Sequence, residues 1–329
     1  MRRFRRLGVG WACGWSLLLA GPAVAENHAL LIGVTRIEAL PQRLWLRGPG
    51  NDVTAMRQAL LARGFAPERI TVLADAAPQS AGRPTRAAIE TAMQALVQRV
   101  QRGDQVVLHW AGHGVQVPQP ADPPHPEPDG LDEVFLTADT QTWDGERQRL
   151  PQAIVDDQIG AWMDALVDRG AEVFAVFDTC HSAGMSRSEG APVRVRSVAA
   201  LELGVPAAFE VTRSRARGGA TVKAGNSAAP PRRVDGRVLA YAARAHESTL
   251  EEWLPRGAGL AKARLQGVFT HAVVRALVSG AASPQELRDF VLQQYRQDGR
   301  VAPVPQVVGE GRLPAGAAPT LAPPPRTGG

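Results

Sequence analysis

Glu172-Val173-Phe174-Ala175-Val176-Phe177-Asp178-Thr179-Cys180-His181 reads as one buried strand that ends at a turn carrying a thiol. Residues 173–177 are apolar without alternation, the pattern of a strand covered on both faces. A second run, Val106-Val107-Leu108-His109-Trp110, has the same character and leads into Ala111-Gly112-His113-Gly114. Outward from these two runs, strand-like and helix-like segments alternate. Residues 28–34 read as a first strand. Residues 51–63 read as a helix, with Asn51 or Asp52 as its N-cap and Val53, Met56, Leu60 and Leu61 on one face. Residues 70–73 form a short strand, and Thr85 caps a helix running to about residue 102. Residues 134–136 and 238–243 read as further strands, and residues 159–167, 268–278 and 283–297 as helices. The alternation predicts an α/β fold, a three-layer sandwich whose mostly parallel sheet has helices on both faces. Functional groups gather at the carboxyl ends of such strands. His113 and Cys180 are therefore expected to meet, although 67 residues separate them in sequence.

The N-terminus has the pattern of an export signal. Residues 1–6 are basic, residues 11–20 are apolar, and Ala23-Val24-Ala25 fits a cleavage site after Ala25. The expected destination is periplasmic or secreted. The apolar stretch is shorter than the roughly 20 residues of a spanning helix, so no stable membrane insertion is expected after cleavage. Removing residues 1–25 takes away four arginines and no acids from 37 basic and 32 acidic residues. The near-neutral remainder argues against a nucleic-acid partner. The preference for Ala, Arg and Gly over Lys, together with the signal, suggests a bacterial source. Roughly 300 remaining residues suit one large domain, placed at 26–300. Within it, a Ser-, Gly- and Arg-rich stretch at about 185–236 reads as a mobile insert, with Arg187, Arg194, Arg196, Arg213, Arg215, Arg217, Arg232 and Arg233. Residues 301–329 read as a Pro- and Gly-rich disordered tail.

Removal of residues 1–25 also takes Cys13, leaving Cys180 as the lone cysteine. An exported chain normally pairs its cysteines, so a single thiol points to used reactivity. An ordinary thiol, with a pKa near 8.5, needs a neighbouring imidazole to become a nucleophile at neutral pH. His113 is the favoured partner because Gly112 and Gly114 let its loop approach a substrate, and the Gly114 N–H is free to face an oxyanion. His181 adjoins Cys180, but neighbours in an extended turn point apart. A buried inert cysteine is the bland alternative for each residue taken singly. A phosphate-binding cysteine loop would need Cys-x5-Arg, and the first arginine here, Arg187, falls one position too late. A non-catalytic binding module is the remaining alternative, and thiol reactivity at Cys180 discriminates it.

Gly112-His113-Gly114, with Asp178-Thr179-Cys180-His181-Ser182-Ala183-Gly184, resembles the motifs of the caspase-like cysteine peptidases (C14), most closely the bacterial metacaspases. Leu46-Arg47-Gly48, Asn51-Asp52 and Gly267-Val268-Phe269-Thr270 add to the likeness. The resemblance implies the caspase-like sandwich and an endopeptidase in which Cys180 attacks the scissile carbonyl. His113 would protonate the leaving amine, and the N–H groups of Gly114 and Cys180 would hold the oxyanion, without a required cofactor. It further implies an S1 pocket built on Asp52 and Asp178 that accepts a polypeptide substrate with Arg or Lys at P1, since a carboxylate pairs with a guanidinium. Calcium as an activator is another implication, with Asp129, Asp132, Asp156 and Asp157 as oxygen donors. Against it, Arg187 stands where calcium-dependent relatives carry an acid. Two departures bear on specificity: Ala111 replaces a frequent serine, and Pro49 a frequent second cysteine. If cleavage follows arginine, the Arg-rich insert also offers self-cleavage sites, among which the sequence does not choose.

Overall fold

A computed structural model describes residues 25–314 except 124, 128, 181–193, 208–234, 245–246 and 260. The signal, His181 and most of the Arg-rich insert therefore lie outside the described residues. The chain opens with β1 (Asn27–Gly33), α1 (Pro49–Ala62), β2 (Ile70–Ala74), α2 (Arg86–Arg99) and β3 (Gln105–Ala111). Three short strands follow, β4 (Gly114–Pro118), β5 (Leu131–Phe135) and β6 (Ile154–Val155), then α3 (Asp156–Asp168) and β7 (Glu172–Asp178). Next come β8 (Arg194–Val195), β9 (Arg237–Tyr241), β10 (Leu250–Leu254) and β11 (Arg264–Gly267). The C-terminal part holds α4 (Val268–Val278), α5 (Pro284–Gln297) and β12 (Gln306–Glu310).

The main sheet has the order β12-β9-β7-β3-β1-β2. Its strands are parallel except β12, which runs antiparallel to β9. Successive residues of each central strand point to opposite faces, and the two faces bury separate cores. Leu30, Ile32, Leu108, Trp110, Ala175 and Phe177 pack with residues of α2 and α3. Ala29, Leu31, Val107, Phe174 and Val176 pack with residues of α1, α4 and α5. The expected three-layer sandwich follows from this alternation. Trp110, fully buried, stacks between Trp162 and Phe177 and meets the ring of Phe135 edge-on.

Several local expectations need correction. Gly48, not Asn51 or Asp52, stands at the N-cap of α1, because Pro49 takes the first helical position that its fixed φ suits. Asn51 and Asp52 sit in the first turn with their side chains drawn to β11, where Asn51 donates to the Leu265 carbonyl at 2.8 Å. Helix α2 stops at Arg99, since Val100 is already extended, while Thr85 caps its start as expected. The Arg-rich stretch is folded over residues 194–207, where β8 joins the edge of a small sheet, β11-β10-β8. In the presumed tail, residues 306–310 form β12, held by five register pairs with β9. Among the described residues no helix is long and apolar enough to cross a membrane.

Candidate active site

The register of the two central strands sets the site. Ala111 of β3 is paired with Asp178 of β7, so His113 and Cys180 each lie two residues beyond a matched position at the carboxyl edge. Both are buried. His113 Nε2 lies 2.6 Å from the Leu44 carbonyl oxygen. A carbonyl only accepts, so Nε2 carries the ring proton and Nδ1 keeps its lone pair. Nδ1 has no hydrogen-bond partner. Burial pulls the imidazole pKa down to about 4, against the opposing pull of the Leu44 and Arg196 backbone. The ring is thus a neutral base at pH 7. Cys180 is a free thiol whose Sγ accepts the Thr249 N–H. Burial pushes its pKa up to about 12, with the Thr249 N–H working in the other direction. Among the described residues no hydrogen bond joins Cys180 to His113.

Asp52 and Asp178 converge, and what they converge on is the side chain of Arg196. Its guanidinium bonds Asp52 Oδ2 and stands 3.3 Å from Asp178 Oδ2 and 3.7 Å from Glu251 Oε2. It also donates to the Asp178 carbonyl at 3.0 Å. All four side chains are fully buried. Buried charges of this kind persist only when paired and hydrogen-bonded. Asp52 Oδ1 accepts the Gly267 N–H at 2.9 Å. Asp178 accepts from the Thr249 hydroxyl at 3.1 Å and from the Thr270 N–H and hydroxyl at 2.9 and 2.7 Å. Since the Thr270 hydroxyl proton goes to Asp178, its oxygen receives the His109 Nε2–H, 3.1 Å away. Glu251 accepts the N–H groups of Arg47 and Gly48 at 3.0 and 2.9 Å, tying β10 to the entry of α1.

The pocket needs glycine twice. A Cβ on Gly48 would stand 2.7 Å from both the Arg196 guanidinium and the Glu251 carboxylate. One on Gly267 would overlap Asp178 Oδ2. The Gly114 N–H, expected to be free, makes a long bond of 3.4 Å to the Arg196 carbonyl. Of the residues expected from sequence, Asp52 and Asp178 converge on Arg196, while Cys180 and His113 lie beyond the matched ends of β7 and β3. Sequence reasoning missed Glu251, Thr249, His109 and the special place of Arg196, which nothing in the sequence separates from the other arginines of its stretch.

Two of the four expected calcium donors have hydrogen-bond partners of their own. Asp129 turns onto the Leu131 N–H, and Asp132 accepts from Gln119. Among the described residues no group of three or more acidic, His or Cys side chains is arranged to hold a metal. The cluster does raise Asp156 to about 7, through burial and then repulsion from Glu133, Asp157, Glu127 and Asp132. No step is routed through calcium.

Comparison with known proteins follows the same lines. The sequence pattern of the metacaspase, peptidase C14 domain matches residues 27–187. Metacaspase-1 of Candida albicans is 35% identical over 159 residues, 48% of this chain and 33% of the relative. Metacaspase-1B of Aspergillus oryzae is 38% identical over 158 residues, 48% of this chain and 34% of the relative. The chain spans about a third of the length of these curated relatives. A crystal structure of a protein from Geobacter sulfurreducens overlays with a TM-score of 0.53 at 20% identity, covering 87% of this chain and 94% of that one. That overlay supports the fold.

Proposed function

We propose that the chain is a cysteine endopeptidase cleaving after arginine or lysine, of the caspase-like C14 type whose metacaspase domain pattern matches residues 27–187. The observation that carries the reading is a guanidinium held between Asp52 and Asp178, beside a thiol and an imidazole at adjacent strand ends. In the reaction, His113 Nδ1 takes the proton of Cys180, and the thiolate attacks the substrate carbonyl carbon. The Gly114 N–H receives the oxyanion, together with the N–H of Cys180. His113 then gives the proton to the departing amine, leaving a thioester that water hydrolyses to a carboxylate and the free thiol. The Leu44 carbonyl holds Nε2–H throughout, which fixes the tautomer and leaves the Nδ1 lone pair to accept the proton. No organic cofactor takes part. The pattern of residues 1–25 supports a location outside the cytoplasm, which cell fractionation tests.

Fluorogenic peptides with Arg, Lys or Asp at P1, with and without calcium, test the assignment beside a Cys180→Ala control. Arg and Lys peptides are expected to be cleaved and the control to be silent. Cleavage after Asp would refute the pocket and keep the peptidase. Silence throughout, with a Cys180 that resists alkylation, would leave a non-catalytic binding module.

A further inference from the structure

The N-terminal ends of the strands, at the end of the sheet opposite Cys180 and His113, hold a buried carboxylate with no permanent cation among the described residues. Asp104, immediately before β3, is 3% exposed. Its Oδ2 accepts the Gln101 N–H at 2.9 Å, and its Oδ1 accepts the Glu26 N–H at 2.8 Å. Among the described residues its one ion-pair partner is His28, whose Nε2 stands 3.3 Å from Oδ2. Burial lowers the pKa of His28 against the pull of Asp104, so the ring is neutral at pH 7. A carboxylate taken out of water is costly unless a charge pairs with it. Glu26 is fixed beside Asp104 from several sides. The Gln105 N–H donates to its carbonyl at 2.9 Å, its carboxylate pairs with Arg69, and the next residue, Asn27, is in register with Gln105. Glu26 is also the residue that follows Ala23-Val24-Ala25, the expected cleavage site.

We propose that Asp104 is a binding site for the chain's own α-ammonium, created at Glu26 when residues 1–25 are removed. The proposal rests on the reading of residues 1–25 as a cleaved signal and is independent of the peptidase chemistry. Hydrolysis of the bond between Ala25 and Glu26 puts the hydroxyl of water on the Ala25 carbonyl carbon and a proton on the Glu26 nitrogen. That amine takes a further proton from solvent below its pKa, ordinarily about 7.7–8.0. The hydrogen bond from Glu26 to Asp104 then becomes charge-assisted without either atom moving. In the unprocessed chain the same nitrogen is an amide and carries no charge, so processing strengthens the fold it leaves behind. An ammonium held by a carboxylate has a raised pKa in the folded state. Its contribution is full below the unfolded value and is lost as pH rises through the folded one. The other charged groups at this end are His28, the Glu26 carboxylate with Arg69, Glu172 with Arg312, and Arg102 against Gly170. Side chains of these types ordinarily do not titrate between pH 8 and 10.

The experiment begins with export of the full-length chain and N-terminal sequencing of the product, whose first residue should be Glu26. Two chains with defined ends then separate the charge from the hydrogen bond. One begins at Glu26; the other begins at Ala25, which keeps the Glu26 N–H and moves the ammonium one residue away. Acetylation of the terminal amine is followed against pH by mass spectrometry of the N-terminal peptide. In the Glu26 chain it should titrate about one pH unit or more above the ordinary value, and in the Ala25 chain at that value. The Glu26 chain should also melt about 2 °C higher at pH 7, with the gap closing as pH rises from 8 to 10. Asp104→Asn should abolish both the raised titration and the gap. The comparison of the two ends needs no substitution, so it decides even where Asp104→Asn fails to fold. An unshifted amine, or equal melting of the two chains across that range, overturns the pairing and leaves the cleavage reading standing. An exported product that begins elsewhere, or that retains residues 1–25, overturns both together.

Discussion

Asp52 is held between opposing influences. Its carboxyl is raised to about 7, with burial pushing it up, Arg196 drawing it down and Asp178 pushing it up again. On the proposed basic P1 specificity, binding a cationic P1 residue needs Asp52 ionised. The KM of a P1-Arg peptide should rise as pH falls from 8 to 6, approaching tenfold per unit at the low end. A flat KM would contradict this role. Asp52→Asn should lower kcat/KM for such peptides by about a hundredfold, with Thr249 and Thr270 still positioning Asp178. His109 gives a separate test of stability. Burial depresses its pKa to about 4, so the folded ring stays neutral while the unfolded one gains a proton below 6.5. Its stabilising contribution is full above pH 6.5 and is lost as pH falls towards 4. His113 acts in the same sense, and the raised Asp52 and Asp156 in the opposite one, so the comparison must be with a variant. His109→Gln keeps a donor for Thr270 and removes the titration. In urea unfolding, the difference between wild type and variant should move against the wild type by about 2 kcal/mol from pH 7 to pH 5. Parallel curves would refute it.

Elements decide how close these groups come. His113 and Cys180 each lie two residues beyond a matched pair because β3 and β7 are parallel and in register, which their similar, largely apolar runs made legible. The pocket was half legible: the Asp52 and Asp178 positions were readable, but not the strand that completes it. Strands of two to five residues, such as β4, β6, β8 and β10, offer too few positions for a period to emerge. Glu251 was hidden for that reason, in a segment where a buried acid looks like a surface residue until its partners are seen. The start of α1 was misread because Asp52 has the residue type of a cap while its side chain serves β11. Gly267, at the junction of β11 and α4, tests the geometry. Gly267→Ala should abolish P1-Arg cleavage while leaving the fold cooperative, since the added methyl falls where Asp178 Oδ2 must sit. Retained activity would show that the pocket relaxes around it.

Across the whole molecule, the layered sandwich was legible from alternating segments, whereas the edges were not. Strand β12 lies in a stretch whose prolines and glycines suggested disorder, yet it pairs with β9 and closes that side of the sheet. Pairing between strands far apart in sequence is set by the sheet's unmet N–H and C=O groups, which local composition does not report. The same holds for residues 194–207, which pair with β10, place Arg196 among buried carboxylates and pack Val198, Ala200, Leu203 and Val205 into the core. Docking of β8 against β10 also stations Arg196 between Asp52 and Asp178, so a second cation aimed at those two carboxylates must compete with it.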